Sequence, residues 1–394
     1  MKEGWTYKKL GEVCDILNGY AFKSNKYTIE GVRVIRITNV QKGYIEDSDP
    51  KFYPIETQKE LARYLLKDGD LLLSLTGNVG RVAIISKYYL PAYLNQRVAC
   101  IRTKDSSSLD LNFLFHLLYS KKFEEDCIQS STGAAQLNMS TVWLASYSIP
   151  LPSLSEQQQI VSYLDSSFAH IDELKANAEK QLNDAKALFQ KALGKAMEPK
   201  EGWEEKLLKE LTSEIGDGLH GTPKYSDDGR YYFVNGNNLE NGIIEIKGNT
   251  KRVGLEEYEK YKIDLNSSTV LLSINGTIGK TAFYEGEPII LGKSACYINV
   301  LPTLLKEFLR YFLLSGVFVN YANRNSRQAT IINLGLKEIR NMPIPLPPLS
   351  EQQQIVTRLD NLSANIKALE ENLEKTISEC DALKQALLRE VFAA

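Results

Sequence analysis

Residues 149–165 read IPLPSLSEQQQIVSYLD, and residues 344–360 read IPLPPLSEQQQIVTRLD. The two stretches lie 195 residues apart and differ at three of seventeen positions. In each copy, prolines hold the backbone extended and cannot continue a helix. A serine (Ser155 or Ser350) then offers a helix N-cap, and the glutamate after it lies in the first turn, where its carboxylate complements the helix dipole. The repeat therefore predicts two long helices, each beginning at the end of a globular segment.

Other segments repeat at matching places. They are KEGW (2–5 and 200–203), the hairpin-like KGYI and NGII (42–45 and 241–244), and LLLSLTGNVGRVAII and VLLSINGTIGKTAFY (71–85 and 270–284). The last pair predicts a buried strand, a glycine turn and a second strand. One amphipathic helix is predicted at Asn112–Asp126 and its counterpart at Lys306–Asn320. A duplication of this length exceeds any solenoid repeat, so it predicts two like domains with a pseudo-two-fold relation.

The duplication divides the chain into four parts. We assign residues 1–152 and 199–347 to two mixed α/β domains, and residues 153–198 and 348–394 to the two long helices. The predicted fold class is therefore α+β, with globular domains and helices alternating along the chain.

Both long helices show heptad spacing. In the second helix, residues seven apart form an a row (Leu359, Ile366, Leu373, Cys380, Leu387) and a d row (Leu362, Leu369, Thr376, Leu383). In the first helix, the a row is Leu164, Ile171, Ala178, Ala185 and Ala192, and the d row is Ser167, Leu174, Gln181 and Leu188. This pattern predicts that the two helices pack on each other as a coiled coil. Ordinary bundle helices are the alternative.

Composition is that of a soluble globular protein, with 43% hydrophobic and 24% charged residues among 394. No signal peptide or bilayer-spanning run is visible, and five cysteines without a CxxC pair favour a reducing cytoplasm. Net charge is −2. Residues 1–150 carry 19 basic and 16 acidic side chains, whereas both helical parts are acidic. This charge balance permits nucleic-acid binding without requiring it. Binding depends on whether basic side chains cluster on one face of the protein, not on the net charge.

Catalytic signatures are missing. Gly279-Lys280-Thr281 resembles the end of a phosphate-binding loop. However, such a loop also needs a glycine at position 274, where this sequence has an isoleucine. No GxGxxG opens a helix, and Glu245-Ile246-Lys247 mimics a nuclease motif in one half only. His116, His170 and His220 have no nucleophile or metal-ligand pattern around them. We therefore predict no catalytic residues and no metal site.

What remains is a set of polar side chains on loops, at matching places in both halves. Arg, Lys, Asn and Gln can contact base edges, and Ser and Thr suit phosphates. In the first half the candidate DNA-binding residues are Tyr20, Lys23, Arg36, Thr38, Asn39, Thr76, Asn78, Arg81, Asn95, Gln96, Arg97, Thr132 and Gln136. In the second half they are His220, Thr222, Lys224, Asn237, Asn238, Asn275, Thr277, Lys280, Lys293, Ser294, Arg327, Gln328 and Thr330. For each one, a solvated loop side chain is the alternative.

The chain resembles the specificity subunits of type I DNA restriction–modification enzymes. The resemblance covers the whole chain and rests on Trp-x-x-x-x-Leu-Gly-Glu-Val (Trp5–Val13), the repeated strand pairs and the doubled IPLPxLSEQQQI with its long helix. The second half departs from the pattern, with Leu208-Lys209-Glu210-Leu211 in place of the fuller Leu-Gly-Glu-Val.

The resemblance implies that each globular part is a target recognition domain and that the helices form an antiparallel coiled coil. It implies binding to double-stranded DNA at a bipartite, asymmetric target, with one half-site per domain. Two modification subunits would dock on the chain, restriction subunits would join them, and S-adenosylmethionine, ATP and magnesium would bind to those partners rather than to this chain.

Two other functions stay open at this stage. A coiled-coil adaptor would need the helices but not two loop-rich domains that carry different polar side chains. A self-sufficient nuclease or methyltransferase would need catalytic residues that the sequence does not show.

Overall fold

A computed structural model describes residues 4–133, 136–326 and 332–392. The chain divides into two compact units, Met1–Ala178 with Lys375–Ala394 (unit 1) and Glu179–Glu374 (unit 2). Each unit therefore holds one globular domain and parts of both long helices. The domain boundaries drawn from the sequence stay a prediction.

The described residues of unit 1 form nine strands and four α-helices before the first long helix. They are β1 (Thr6–Lys9), α1 (Leu10–Val13), β2 (Cys14–Asn18), β3 (Val32–Ile35), β4 (Phe52–Tyr53), β5 (Leu71–Ser74), β6 (Val82–Ile84), β7 (Ala92–Leu94), β8 (Val98–Thr103), α2 (Leu111–Leu118), α3 (Lys121–Ser130), α4 (Thr141–Ser146), β9 (Ser148–Leu151) and the long α5 (Leu154–Ala196).

Unit 2 has a similar order of elements, with two additional short strands and one additional helix in the middle of its domain. Its elements are β10 (Glu204–Leu207), β11 (Thr212–Asp217), β12 (Tyr231–Val234), β13 (Leu239–Glu240), β14 (Ile243–Ile244), β15 (Arg252–Val253), α6 (Leu255–Tyr261), β16 (Thr269–Ser273), β17 (Thr281–Phe283), β18 (Ile289–Leu291), β19 (Ala295–Val300), α7 (Lys306–Leu314), α8 (Gly316–Asn325), α9 (Leu336–Arg340), β20 (Pro343–Leu346) and the long α10 (Leu349–Phe392).

The central sheet of unit 1 is antiparallel, in the order β2-β8-β5-β6. Side chains alternate along β5, so that Leu71 and Leu73 pack with Phe113 of α2, whereas Leu72 faces a second core with Ile35 and other strand residues. Both faces of the sheet are thus covered, which explains why every residue of β5 is buried. Unit 2 builds the same layers with the sheet β11-β19-β16-β17.

Each unit also has a three-stranded sheet in which two strands run parallel. In unit 1 the order is β4-β3-β7, with β3 and β7 parallel; in unit 2 it is β15-β12-β18, with β12 and β18 parallel. The predicted strand–turn–strand segments and the 241–244 hairpin are confirmed. Asn241 and Gly242 both have positive φ (47° and 88°), as a tight two-residue turn between strands requires.

Two local predictions are wrong. The first concerns the helix N-caps: α5 begins at Leu154, and Ser153 caps it, with its Oγ accepting from the Glu156 N–H (3.3 Å). In α10 the carbonyl of Pro348 takes this place, accepting from the Glu351 N–H (2.9 Å). Ser155 and Ser350 are instead the second residues of their helices, because the extended chain leads directly into the helix at the leucine before them.

The second concerns the amphipathic helix of each unit, which is broken into two. In unit 1, α2 ends at Leu118, and Ser120 caps α3 by accepting from the Phe123 N–H. In unit 2, Ser315 alone separates α7 from α8. The serine hydroxyls bond back to the carbonyls of Leu117 and Phe312 (both 2.7 Å), an alternative to continuing the helix.

The two long helices pair as an antiparallel coiled coil, as predicted. Within unit 1, Lys175 Nζ lies 2.9 Å from Asp381 Oδ2, and Lys384 Nζ lies 2.6 Å from Asp172 Oδ1, so one helix rises in number as the other falls. Within unit 2, Leu193 of α5 shares a core with Leu359 of α10.

The two heptad rows differ in burial. Most of the a row is buried, including Ala178 (4% exposed) and Leu373 (9%), whereas Ala192 and Leu387 are half-buried. Four of the five leucines of the d row are 43–56% exposed (Leu174, Leu188, Leu369 and Leu383), and Leu362 is half-buried. Each helix of the pair buries one face against the other helix. The exposed leucines lie outside this contact. No helix within the described residues combines the length and apolar character that a bilayer span needs.

Candidate nucleic-acid interface

A cleft opens at one end of the three-stranded sheet of unit 1. Because β3 and β7 are parallel, with Ile35 opposite Leu94, their carboxyl ends meet at the same edge. Arg36 follows β3 and Asn95 follows β7. Loops at the carboxyl ends of parallel strands commonly form binding crevices, because the backbone turns away there and leaves a gap between neighbouring connections.

The cleft has a volume of about 320 Å³. Its lining residues are Phe22, Ser24, Tyr27, Arg36, Ile37, Thr38, Asn95, Gln96 and Arg97. Five of the candidate residues from the sequence (Arg36, Thr38, Asn95, Gln96 and Arg97) therefore share one site. The wall of Phe22 and Tyr27 was missed, since an aromatic residue in a loop carries no sequence signal that separates a binding wall from a small core.

Two asparagines hold the loops of this cleft. Asn39 is 4% exposed; its Oδ1 accepts from the Arg36 N–H (2.9 Å), and its Nδ2 donates to the Glu46 carbonyl (2.8 Å). Asn95 is 6% exposed, and its Oδ1 accepts from the Arg97 N–H (3.2 Å). Both side chains form hydrogen bonds with backbone groups, and these bonds orient the neighbouring loop residues.

The Arg36 guanidinium is anchored on one side. Its Nη2 donates to the Asp49 carbonyl (2.6 Å) and lies 3.3 Å from Asp49 Oδ2, while its Nε is buried without a partner among the described residues. Lys51 Nζ also binds Asp49 (2.6 Å). Hydrogen bonds from Lys51 and then Arg36 lower the pKa of the Asp49 carboxyl. The sequence did not predict this role of Asp49, because Asp49 lies thirteen positions after Arg36 along the chain.

The side chains of Gln96 and Arg97 in the cleft are available to a ligand. Both are exposed, and neither side chain forms a hydrogen bond or ion pair with the described part of the chain. Their backbone is fixed, since the Gln96 N–H donates to the Tyr20 carbonyl (3.0 Å). Tyr20 itself packs its ring on Phe22 (centroids 5.0 Å apart). Lys23 is exposed at the start of the next turn.

The remaining candidates of unit 1 lie around the turn between β5 and β6. Arg81 donates to the Gln41 side chain, and Thr76 Oγ1 donates to Asn138 Oδ1 (3.2 Å). Thr132 pairs its backbone with Asn138, and Asn78 and Gln136 are exposed. These residues form a second polar group and do not line the cleft.

Unit 2 repeats the loop framework of the cleft. Asn238 (4% exposed) accepts from the Asn235 N–H (3.0 Å) and donates to the Glu245 carbonyl (3.0 Å), as Asn39 does in unit 1. However, Ser294 Oγ donates to Asn235 Oδ1 (3.0 Å) and accepts from the Gly236 N–H (3.0 Å). The loops that lie open in unit 1 are therefore tied together here.

The other candidates of unit 2 are spread over its loops. Thr222, Lys224, Asn237, Thr277 and Lys293 are exposed. His220 Nε2 lies 2.8 Å from Asp217 Oδ2, Asn275 Nδ2 donates to the Lys293 carbonyl (3.1 Å), and Lys280 pairs with Glu240. Arg327, Gln328 and Thr330 lie outside the described residues.

Titratable groups in unit 1 show no sign of an activated nucleophile. Burial raises the pKa of Cys14 and of Cys127 to about 12, so both thiols are protonated at neutral pH. Within the described ranges, no group of three or more His, Cys, Asp or Glu side chains could hold a metal ion.

Comparison with known families agrees with this geometry. The family model described as "Type I restriction modification DNA specificity domain" matches residues 2–184 and again 200–379. The chain belongs to this family. Specificity subunits recognise DNA and are not catalytic, and their partners are DNA and the methyltransferase and restriction subunits of the same system.

Several relatives are distant in sequence but cover nearly the whole chain. The specificity subunit of the Escherichia coli type I restriction enzyme EcoBI is 24% identical over 99% of this chain and 86% of its own length. Among solved structures, a chain described as "Structural basis underlying complex assembly and conformational transition of the type I R-M system" is 21% identical, with a TM-score of 0.76 over 99% of this chain and 98% of that one. The HsdS subunit from Thermoanaerobacter tengcongensis is 20% identical, with a TM-score of 0.59 over 100% and 97% of the two chains. Both structures share the fold.

Proposed function

We propose that this chain directs a type I restriction–modification enzyme to a bipartite, asymmetric target on double-stranded DNA, with each unit reading one half-site. The observation that carries the proposal is the cleft at the carboxyl ends of β3 and β7, together with its altered counterpart in unit 2. One scaffold presents different polar side chains in its two copies, and that arrangement suits two unlike half-sites.

The chemistry of the cleft suits a base edge. Gln96 and Arg97 carry exposed hydrogen-bond donors on a fixed backbone, and Gln also carries an acceptor. Such side chains can make two bonds to one purine in the major groove. Arg36 and Thr38 on the facing loop can contact either a base or the sugar-phosphate backbone.

The partner arrangement belongs to the same proposal. We expect two modification subunits to bind the chain, because it contains two equivalent units and the helix pair that the resemblance assigns to docking. Restriction subunits then complete the complex, and S-adenosylmethionine, ATP and magnesium bind to those subunits. The cytoplasm, where the DNA target lies, is the expected location.

Single-molecule sequencing of methylated adenines in the host tests this function. We expect a bipartite methylated motif in the strain that carries the chain and its loss in a strain from which the chain is deleted. Restoring the gene on a plasmid should restore the same motif. An unchanged methylation pattern after deletion would contradict the proposal and favour a coiled-coil adaptor that does not read DNA.

A further inference from the structure

Arg36 and Arg97 occupy two positions at which the units differ most clearly. The equivalence with Asn235 and Ser294 of unit 2 is set by matching backbone bonds. Arg36 and Asn235 each donate their N–H to the clamping asparagine three residues on (2.9 and 3.0 Å). The residues before Arg97 and Ser294 each donate their N–H to the carbonyl that follows Gly19 or Gly218 (both 3.0 Å).

The two pairs have opposite consequences for the loops. In unit 2, Ser294 Oγ bonds both Asn235 Oδ1 and the Gly236 N–H, so one loop is joined to the other. In unit 1, two arginines line the open cleft instead, and the Arg97 side chain has no partner within the described residues. The same backbone positions therefore close the loops in one unit and leave them open in the other.

We infer that the pair Arg36 and Arg97 determines specificity for the first half-site by binding a group with two hydrogen-bond acceptors, the O6 and N7 edge of a guanine. This inference rests on the proposed function and adds the ligand chemistry of the cleft. Arginine presents a planar fork of donors that matches this edge. A phosphate has acceptors of the same kind, so the test must separate the two sources.

Unit 2 supplies the variant for the test. Arg36→Asn with Arg97→Ser places the residues of unit 2 on the backbone of unit 1, where the same bonds can close the cleft. Asp49 keeps its ion pair with Lys51 (2.6 Å) in that variant. The matched control is Lys87→Ala, which removes an exposed cation before the start of β7, at the end of that strand away from the cleft.

The first measurement is the methylated-adenine motif in the host. With the double variant, we expect at least one G·C position in one half-site to become unspecified, while the other half-site and the spacer stay unchanged. Lys87→Ala should leave the whole motif unchanged. If the double variant does not copurify with the modification subunits, Arg97→Ser alone is used, because that side chain is exposed and supports no other contact in the described chain.

The second measurement separates a base from a phosphate. The full chain with its modification subunits is titrated with a target duplex in which 7-deazaguanine replaces the guanine of that position. We expect binding to weaken at least tenfold with the natural chain and not to change with the double variant. Equal weakening of the variant on all sequences, with a smaller salt dependence, would assign the arginines to phosphates and overturn the inference.

Different results would contradict the proposed function and the role of the two arginines. If the natural chain adds no methylated motif to the host, the proposed function is wrong. If the natural chain adds a motif and the double variant gives the same motif, only the role of Arg36 and Arg97 is wrong.

Discussion

One buried glutamine in each unit joins the long helix to the globular domain. Gln157 Nε2 donates to the carbonyls of Ser108 (3.0 Å) and Pro152 (2.9 Å), and its Oε1 accepts from the Asp110 N–H (2.8 Å). Gln352 makes the same three bonds in unit 2, to Thr303, Pro347 and Leu305. Both side chains are 0% exposed. This clamp gives the first glutamine of each repeated QQQ run a structural role.

We predict that Gln157→Ala lowers the free energy of unfolding of unit 1 by about 2–4 kcal/mol, because it leaves three buried or partly buried backbone groups without their partner. Urea denaturation of the full chain measures the change. Gln158→Ala is the control, since Gln158 is exposed on the next position and its loss should change stability by less than about 0.5 kcal/mol. Equal effects of the two variants would show that the clamp adds nothing.

Substitution of Gln96 tests whether a single side chain of the cleft recognises a DNA base. We expect Gln96→Ala to weaken binding to DNA that carries the first half-site by about 1–3 kcal/mol, because the side chain is exposed in the cleft on a fixed backbone. Titration of the complex against duplexes altered in either half-site measures it, with Lys87→Ala as control. A uniform loss on all sequences would mean a phosphate contact, and no loss on any DNA would remove Gln96 from the interface.

Glu351 links stability to pH in unit 2. It accepts from Lys200 Nζ (3.0 Å) and from the Trp203 indole N–H (2.9 Å), and the hydrogen bond from Lys200, followed by that from Trp203, lowers the pKa of its carboxyl. A carboxyl with a lowered folded-state pKa stabilises the fold above its unfolded pKa. That contribution disappears as the pH falls through the folded-state pKa.

We therefore predict that the midpoint of thermal unfolding falls less steeply below about pH 4.5 in Glu351→Gln than in the natural chain. The glutamine keeps an acceptor for the indole but carries no charge. Glu371→Gln, at an exposed position of the same helix, should leave the pH dependence as it is. If Glu351→Gln and the natural chain lose stability in parallel on acidification, the ion pair is not linked to folding.

At the scale of elements, the helix pair depends on one row of side chains. Leu373 lies in the a row and is 9% exposed, whereas Leu369, one turn earlier, is 43% exposed. Burial sets the cost of truncation, because only a buried leucine loses apolar contacts and leaves a cavity. The exposed leucines of the d row therefore add little to the pairing of α5 with α10.

We predict that Leu373→Ala costs about 2–4 kcal/mol of unfolding free energy and Leu369→Ala less than about 1 kcal/mol. Denaturant titration of the full chain compares the two, and each variant is the matched control of the other. A cost for Leu369→Ala as large as that for Leu373→Ala would mean that the d row is covered after all.

At the scale of the whole molecule, both long helices pass from one unit into the other. Helix α5 crosses the boundary after Ala178, and α10 crosses it after Glu374. We propose that helix length sets the unread spacer between the half-sites. Because the helices are paired, any change of length must be made in both.

We predict that seven residues inserted after Ala178 and seven after Glu374 lengthen the tolerated spacer by up to about three base pairs, since seven helical residues add about 10 Å and a base pair about 3.4 Å. Methylated-adenine sequencing reads the new spacer. Glu179→Gln with Glu374→Gln alters the same sites without changing length and should keep the natural spacer. If the half-site bases change while the spacer does not, helix length is not the ruler.

The sequence by itself determined the local structure. Two copies of IPLPxLSEQQQI specify two long helices, since prolines end the strand and heptad spacing continues for about four heptads. Apolar runs with glycine turns specify the strand pairs, because each depends on neighbours in sequence. The family resemblance needed only these repeats. The helix breaks at Ser120 and Ser315 were missed, because a serine in an amphipathic run is also compatible with an unbroken helix.

Only the tertiary structure decided which polar side chains are available to a ligand. Asn39 and Gln96 are alike as loop amides in sequence, yet one is buried and bonded to backbone, and the other is exposed in the cleft. Arg36 forms an ion pair with Asp49, thirteen positions away in the sequence. Ser294 donates a hydrogen bond to Asn235, fifty-nine positions away. Hydrogen bonds act over about 3 Å, so their partners depend on how distant loops meet, and no pattern of nearby residues contains that information.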